Sequence, residues 1–387
     1  MGTQQCSPRL GLDDSAAESI YLKHVSRIKH EIYTRYLGAW LAILSRRFDR
    51  LRVFDCFAGD GRYVDEHRHP LPGSPQRAIS IARDIVEKSK GLSVAFGFIE
   101  QDQMKANRLR QELGDMKCPR SISHTVFAGD AHNVTQNILK VLLPKPGIVP
   151  TLFFVDPYGH PLSIPVMRKL LAIPKAELLV NLMWFRISMD LGNPDRIEHL
   201  DRLFGHRQWN KQTFNQMTGV AREEAFVDYF EQEVSAPFCV RRAMPYSPED
   251  RVSFPDKRTK YYLLHFSSHP RAANAMKPVM RRAEKSLTQL RGPTQQLPFE
   301  FADPHKAGLA DLKGALCGRF DSGTQLTFRD ILDRTANLPN VEPEYRRALK
   351  ELEFERKVEI DRRESKRDGL NYGDIITFRQ PLNGNSS

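Results

Sequence analysis

Apolar residues in this chain fall into short runs that end in acids, and between those runs they recur at helical spacing. Ile28, Ile32, Tyr36, Trp40 and Ile43 mark one helix over about residues 21–47. Four buried strands follow, at Val53-Phe54-Asp55, Phe96-Gly97-Phe98-Ile99-Glu100, Val126-Phe127-Ala128 and Leu152-Phe153-Phe154-Val155. The amphipathic run Gln76–Val86 separates the first two. Beyond them the pattern predicts a helix over Ile164–Leu171, a buried strand over Ala176–Met183 and a polar, helix-rich insertion at about 190–235. Two late strands, Phe238–Arg242 and Lys260–Ser267, and a helix over Ala272–Leu287 complete the series. Strands alternating with helices in this way predict an α/β domain over 21–300 with helices on both faces of its sheet.

The remainder reads as a second unit. Residues 1–20 are polar and predicted disordered, and the Gly-, Pro- and Gln-rich stretch 291–305 marks a linker. Helices are predicted over Asp311–Phe320, from Thr327 as a cap through Leu332, and over Glu344–Arg356 behind Pro343. Val358-Glu359-Ile360 and Ile375-Ile376-Thr377-Phe378 then flank a charged tip holding Arg362, Arg363, Lys366 and Arg367. Three helices and a two-stranded wing predict a winged helix-turn-helix over 306–387. That fold binds DNA or RNA in many proteins and mediates protein contacts in others.

The chemistry lies at the strand ends. In open α/β sheets ligands bind beyond the carboxyl ends of the strands, so the closing residues face them. After Asp55 the chain runs Cys56-Phe57-Ala58-Gly59-Asp60-Gly61-Arg62-Tyr63, a turn that lets backbone approach a ligand, and Gly73-Ser74-Pro75 opens the next helix. Glu100, followed by Gln101, suits the two hydroxyls of a ribose; Asp130, followed by Ala131, suits the exocyclic amine of adenine. Taken singly, either acid is an ordinary loop carboxylate or helix cap. In order, the set predicts a Rossmann-like nucleoside-cofactor site, best fitted by S-adenosylmethionine. A nicotinamide site fits less well, because position 64 is Val rather than the third Gly of Gly-x-Gly-x-x-Gly and Glu100 lies far beyond the expected spacing. Lys29-His30, near the start of the first helix, is either helix surface or a cofactor contact.

Charge and cysteine usage narrow the partners. The formal charge is +11, and residues 241–291 carry 12 Lys/Arg against 4 Asp/Glu, whereas 311–379 carry 14 of each. A basic surface confined to one segment suits a phosphate backbone, and solvated helix faces are the alternative. The five cysteines lack Cys-x-x-Cys spacing, which predicts neither a zinc site nor a disulfide framework, with no metal expected, and fits a reducing cytoplasm. No run of residues reads as a membrane span.

On these motifs the chain resembles the bacterial three-Cys-motif partner proteins, TcmP. The likeness is carried by the Lys29–Trp40 helix, Asp55-x-Phe57-Ala58-Gly59-x-Gly61-x-Tyr63, Gly73-Ser74-Pro75, Phe98-Ile99-Glu100, Gly129-Asp130-Ala131, Phe154-Val155-Asp156-Pro157-Tyr158-Gly159 and Tyr261–Met280. The resemblance implies a class I S-adenosylmethionine-dependent methyltransferase with a three-Cys-motif, radical-type partner. Two other groups share fragments: large-subunit rRNA adenine-N6 methyltransferases have a similar Ala-Gly-x-Gly-Arg-Tyr turn, and tRNA guanine-N2 dimethyltransferases carry Asp-Pro-Phe-Gly. Both modify an exocyclic amine. The single proline of Asp156-Pro157-Tyr158 departs from the adenine pattern Asp-Pro-Pro-Tyr, and no Pro-Cys pair supports attack on cytosine C5.

Asp156, Pro157 and Tyr158 are thus the expected catalytic residues. Lys29, Asp55, Phe57, Ala58, Gly59, Gly61, Tyr63, Ser74, Glu100, Gln101, Asp130 and Ala131 are expected at the cofactor, and Arg62, Tyr158, Arg362, Arg363, Lys366 and Arg367 at a nucleic acid substrate. The competing expectations are an adaptor subunit with this fold that supports the radical-type enzyme, and a methyltransferase of protein or small molecules.

Overall fold

The computed structural model describes residues 20–21, 24–65, 67–143, 147–246, 259–289, 308–363 and 369–379. Its centre is a seven-stranded sheet: β1 (Arg50–Asp55), β2 (Ser93–Glu100), β3 (Ile122–Ala128), β4 (Thr151–Val155), β5 (Ala176–Leu182), β6 (Phe238–Pro245) and β7 (Thr259–Ser267). Their order is β3-β2-β1-β4-β5-β7-β6, with β7 antiparallel to both of its neighbours and the other pairs parallel. The chain winds outward from β1 to β3 on one side and from β4 to β5 on the other. The sheet therefore has its switch point between β1 and β4, where a crevice opens at the carboxyl ends.

Period-two alternation assigns each strand residue to a face. Val53, Phe96, Phe98, Leu152 and Phe154 pack with α1 (His24–Leu44), α2 (Ser74–Val86), α3 (Gln103–Gly114) and α9 (Pro270–Gln289). Phe54, Ile99, Phe153 and Val155 pack with α4 (Ala131–Leu142), α5 (Ile164–Leu171), α6 (Trp184–Leu191), α7 (Ile197–Phe204) and α8 (Gly219–Val234). All five residues of β4 are buried, as expected of a strand covered on both faces. The predicted α1 face is buried through Trp40, whereas Ile43 is 52% exposed.

The insertion expected at 190–235 is α6 to α8 with short 3-10 turns, and it completes the second core rather than projecting from it. Sequence periodicity misses the short strands Arg62–Val64 and Pro70–Pro72, which pair antiparallel after the glycine turn. A three-residue ladder across a turn is too short to leave a repeat.

The C-terminal unit contains α10 (Leu309–Arg319), β8 (Gln325–Thr327), α11 (Phe328–Arg334), α12 (Glu342–Phe354), β9 (Val358–Asp361) and β10 (Ile375–Phe378). Its sheet has three strands, β8-β10-β9, where two were expected. Thr327 both ends β8 and caps α11: its Oγ1 accepts from the Asp330 N–H at 3.1 Å, while the Asp330 carboxylate accepts from the Thr327 N–H at 3.2 Å. The unit has its own core, with Leu316, Phe328, Ile331, Tyr345, Leu349 and Ile376 buried. It docks on α9, where Asn274 donates to the Leu332 carbonyl at 3.0 Å and Arg281 pairs with Glu344. The predicted linker at 291–305 lies outside the described residues. Among the described residues no helix is long and apolar enough to cross a membrane.

Gly97 makes the inner layer possible. A methyl group there would overlap the ring of Phe54 and press on Phe127. Gly97→Ala is expected to cost roughly 1–3 kcal/mol of stability, read as a lower urea midpoint; an unchanged midpoint would show that the Phe54 ring moves freely.

Candidate active site at the sheet switch point

Asp156 follows β4 directly and lies at the switch point. Its Oδ1 accepts from Lys29 Nζ at 2.6 Å and from Asn181 Nδ2 at 2.7 Å. Lys29 comes from α1 and Asn181 from β5, and both charged side chains are 11% exposed. The ammonium also lies 5.5 Å over the ring of Tyr261 on β7. Side chains from two other elements converge on one carboxylate oxygen while a third faces the ammonium, and no partner to the other oxygen occurs among the described residues.

Asp55 ends β1 with no exposure. Its Oδ2 accepts from the Ser74 hydroxyl at 2.6 Å and its Oδ1 from the Phe57 N–H at 3.2 Å, so it ties the start of α2 to the glycine turn. Burial pushes its pKa up to about 7, against the hydrogen bonds that favour the anion. Gly59 and Gly61 both have left-handed backbone, with φ of 66° and 76°. A side chain at Gly61 would strike Gln76, whereas the space at Gly59 meets only the Tyr63 hydroxyl, 3.8 Å away. Gly59 is therefore the position where the turn leaves room for a ligand. Ala58 is buried, its N–H bound to the Ile99 carbonyl at 2.8 Å.

Among the described residues, four buried polar atoms around the turn and the acids have no partner: Nδ1 of His30, the hydroxyl of Tyr33, Oδ1 of Asn181 and Oε1 of Gln76. His30 meets the edge of Tyr63 at 5.6 Å, and Tyr33 stacks on Phe154 at 4.2 Å. Burial, then the charge of Lys29, lowers the His30 pKa to about 3, so the imidazole is neutral. Buried polar groups are nearly always satisfied, and such orphans beside an acid pair fit a site for a polar ligand. His30 lies where the Lys29-His30 pair offered a cofactor contact in the sequence, whereas Tyr33, Asn181 and Tyr261 are not legible as site residues, because each reads as part of a helix or strand face.

The remaining candidates divide. Glu100 is half-buried at the end of β2 and accepts from the Asp102 N–H at 2.9 Å; Gln101 beside it is exposed. Asp130 is exposed and caps α4, accepting from the Asn133 N–H at 3.0 Å, with Ala131 buried as the first residue of that helix. Tyr158 is 84% exposed, with the Arg186 guanidinium 5.2 Å over its ring, and Pro157 is buried. Arg62 is held by Glu112 on α3 at 2.5 Å, Arg362 by Glu353 at 2.5 Å and Arg363 by Asp361 at 3.0 Å. Lys366 and Arg367 lie outside the described residues. Part of the basic segment is likewise paired, Arg241 with Asp228 and Glu231 and Arg271 with Asp333.

No family model matches the sequence, and no curated protein matches it. Solved structures do. A protein of Legionella pneumophila described under family-model DUF519 is 15% identical, covering 71% of this chain and 95% of its own, with a TM-score of 0.43. Human methyltransferase-like protein 13 in complex with SAH is 12% identical over 72% and 98%, with a TM-score of 0.35. An O-methyltransferase from Bacillus cereus in complex with SAH is 10% identical over 61% and 80%, with a TM-score of 0.30. Likeness at this level carries no chemistry to the present chain, which must be argued from its own residues.

The buried acid gives a test. Between the ordinary carboxylate value and about 7, the folded chain keeps a proton on Asp55 that the unfolded chain has released. Its contribution to stability is full at low pH and is lost as pH rises through that window. His30 acts in the opposite sense, its contribution lost as pH falls from 6.5 toward about 3. The stability of wild type relative to Asp55→Asn should therefore decline from pH 4 to pH 7, measured by urea unfolding. A pH-independent difference would mean that Asp55 titrates alike in both states.

Proposed function

We propose that this chain is an S-adenosylmethionine-dependent methyltransferase acting on an exocyclic amine of a nucleic acid base. The observation that carries this reading is Asp156, anchored through one oxygen at the switch point, with its other oxygen unpaired among the described residues and an exposed aromatic two residues on. The cofactor region fits the molecule: Gly59 leaves room beside the turn, Glu100 suits the ribose hydroxyls, Asp130 the adenine amine, and the orphaned atoms of His30, Tyr33 and Asn181 are available to polar groups. S-adenosylmethionine, when bound, supplies an electrophilic methyl group.

The protein's part is positioning and electrostatics. Lys29 and Asn181 fix Oδ1 of Asp156, which directs Oδ2 to accept one N–H of the amine while the Pro157 carbonyl accepts the other. Held this way, the nitrogen lone pair is freed from the ring, and the carboxylate offsets the positive charge that develops on nitrogen. Tyr158 offers a ring on which an unstacked base can rest, and Arg186 over that ring adds attraction for phosphate. On the C-terminal unit, which we read as a winged helix, α12 presents Arg346, Arg347 and Lys350 beside Phe354, which is 91% exposed. Arg346 and Arg347 are themselves paired with Glu342 and Glu351, as Arg362 and Arg363 are with Glu353 and Asp361. The motif resemblance adds a three-Cys-motif, radical-type protein as the working partner.

Calorimetric titration with S-adenosylmethionine and S-adenosylhomocysteine, followed by labelled methyl transfer to RNA and DNA, tests the reading. Asp156→Ala should lose at least about 100-fold in turnover while keeping its affinity for S-adenosylhomocysteine; full activity would remove Asp156 from the mechanism. Glu100→Ala should weaken cofactor binding roughly 10- to 100-fold through lost charge-assisted hydrogen bonds, and unchanged affinity would clear Glu100 of that role. A folded protein that binds neither molecule would make it an adaptor.

A further inference from the structure

A second cluster of ligand-type side chains lies four residues beyond Asp156. His160, in the loop after β4, places Nε2 at 2.6 Å from Oδ2 of Asp190 on α6, and His199 on α7 places Nδ1 at 3.1 Å from the same oxygen. All three ligand atoms lie within 4.8 Å of one another. Asp190 is only 5% exposed at its side chain, His160 is 24% and His199 49% exposed. Arg196 approaches the opposite oxygen, Oδ1, at 3.5 Å, so the oxygen shared by the imidazoles stays clear of it.

We infer that His160, Asp190 and His199 form a binding site for a divalent transition cation of the zinc class. Two neutral imidazoles and a carboxylate are ligands for such ions, whereas calcium and magnesium favour oxygen donors. Ligand atoms about 2.0–2.1 Å from a tetrahedral zinc stand about 3.3 Å apart. The His199–Asp190 separation of 3.1 Å nearly meets that value, and the His160–Asp190 pair at 2.6 Å must open by under an ångström. The half-exposed His199 ring gives the ion a path from solvent and leaves further coordination positions for water. The scattered cysteines predict no zinc site, and this set leaves no sequence signature because its members, two histidines and an aspartate, come from a loop and two helices.

The bound ion would fasten the Asp156–His160 loop to α6 and α7. Tyr158 lies between those two residues and Arg186 on α6, so the clamp would set the geometry of the exposed aromatic. This site does not depend on the methyltransferase reading.

The test is zinc titration of the chelator-treated full-length protein by calorimetry, with cobalt as a spectroscopic substitute. One equivalent should bind with micromolar or tighter affinity, and cobalt should give the visible absorption of a low-symmetry nitrogen and oxygen site. His199→Ala, at a half-exposed position that the fold tolerates, should weaken this binding at least tenfold, as should His160→Ala. The exposed pair His67 and His69 lies elsewhere, after the glycine turn, and its double alanine variant should bind like wild type. Absence of stoichiometric zinc binding, or equal affinity in wild type and His199→Ala, would overturn the site.

Discussion

The buried ion pair between Lys29 and Asp156 constrains much of this molecule. Its two residues are 127 positions apart, one on the first helix and one after the fourth central strand, yet they meet at 2.6 Å. Taking two charges largely out of water costs several kcal/mol per ion, and removing one partner alone typically costs about 3–5 kcal/mol. The arrangement holds because Asn181 donates to the same oxygen and the Tyr261 ring faces the ammonium. Helix α1 is thereby fixed across the switch point, and with it the neutral His30 and the Tyr33 hydroxyl that line the site.

The acids at the strand ends do different work despite their common position. Asp55 is an internal brace with no exposure, joining the glycine turn to the start of α2. Asp130 caps a helix and Glu100 accepts from its own loop, whereas Asp156 is held through one oxygen by side chains from two other elements. The two glycines of the turn divide in the same manner: Gly61 yields to Gln76, Gly59 to open space.

Helix α9 joins the two units. Met276, Met280 and Ala283 pack in the core of the central sheet, while Asn274, Arg271 and Arg281 reach the C-terminal unit. Between them Lys277 is 6% exposed, its pKa lowered to about 8 by burial, and its ammonium donates to Asn274 at 3.1 Å. Two of the twelve cations that the sequence concentrates in 241–291, Arg271 and Arg281, therefore serve the joint between units.

Sequence alone determined the order of strands and helices, because alternation at two residues and recurrence near 3.6 are local consequences of backbone geometry. It also placed Asp55, Gly59, Glu100, Asp130 and Asp156 at strand ends, since a change from apolar run to acid and glycine marks where a buried strand leaves the core. Tertiary structure alone decided how Asp156 is held. The partners that decide it, Lys29, Asn181 and Tyr261, arrive from other elements, and a pairing across 127 residues leaves no spacing to read. His160, Asp190 and His199 were hidden for the same reason: their ligand atoms converge only after a loop and two helices have packed.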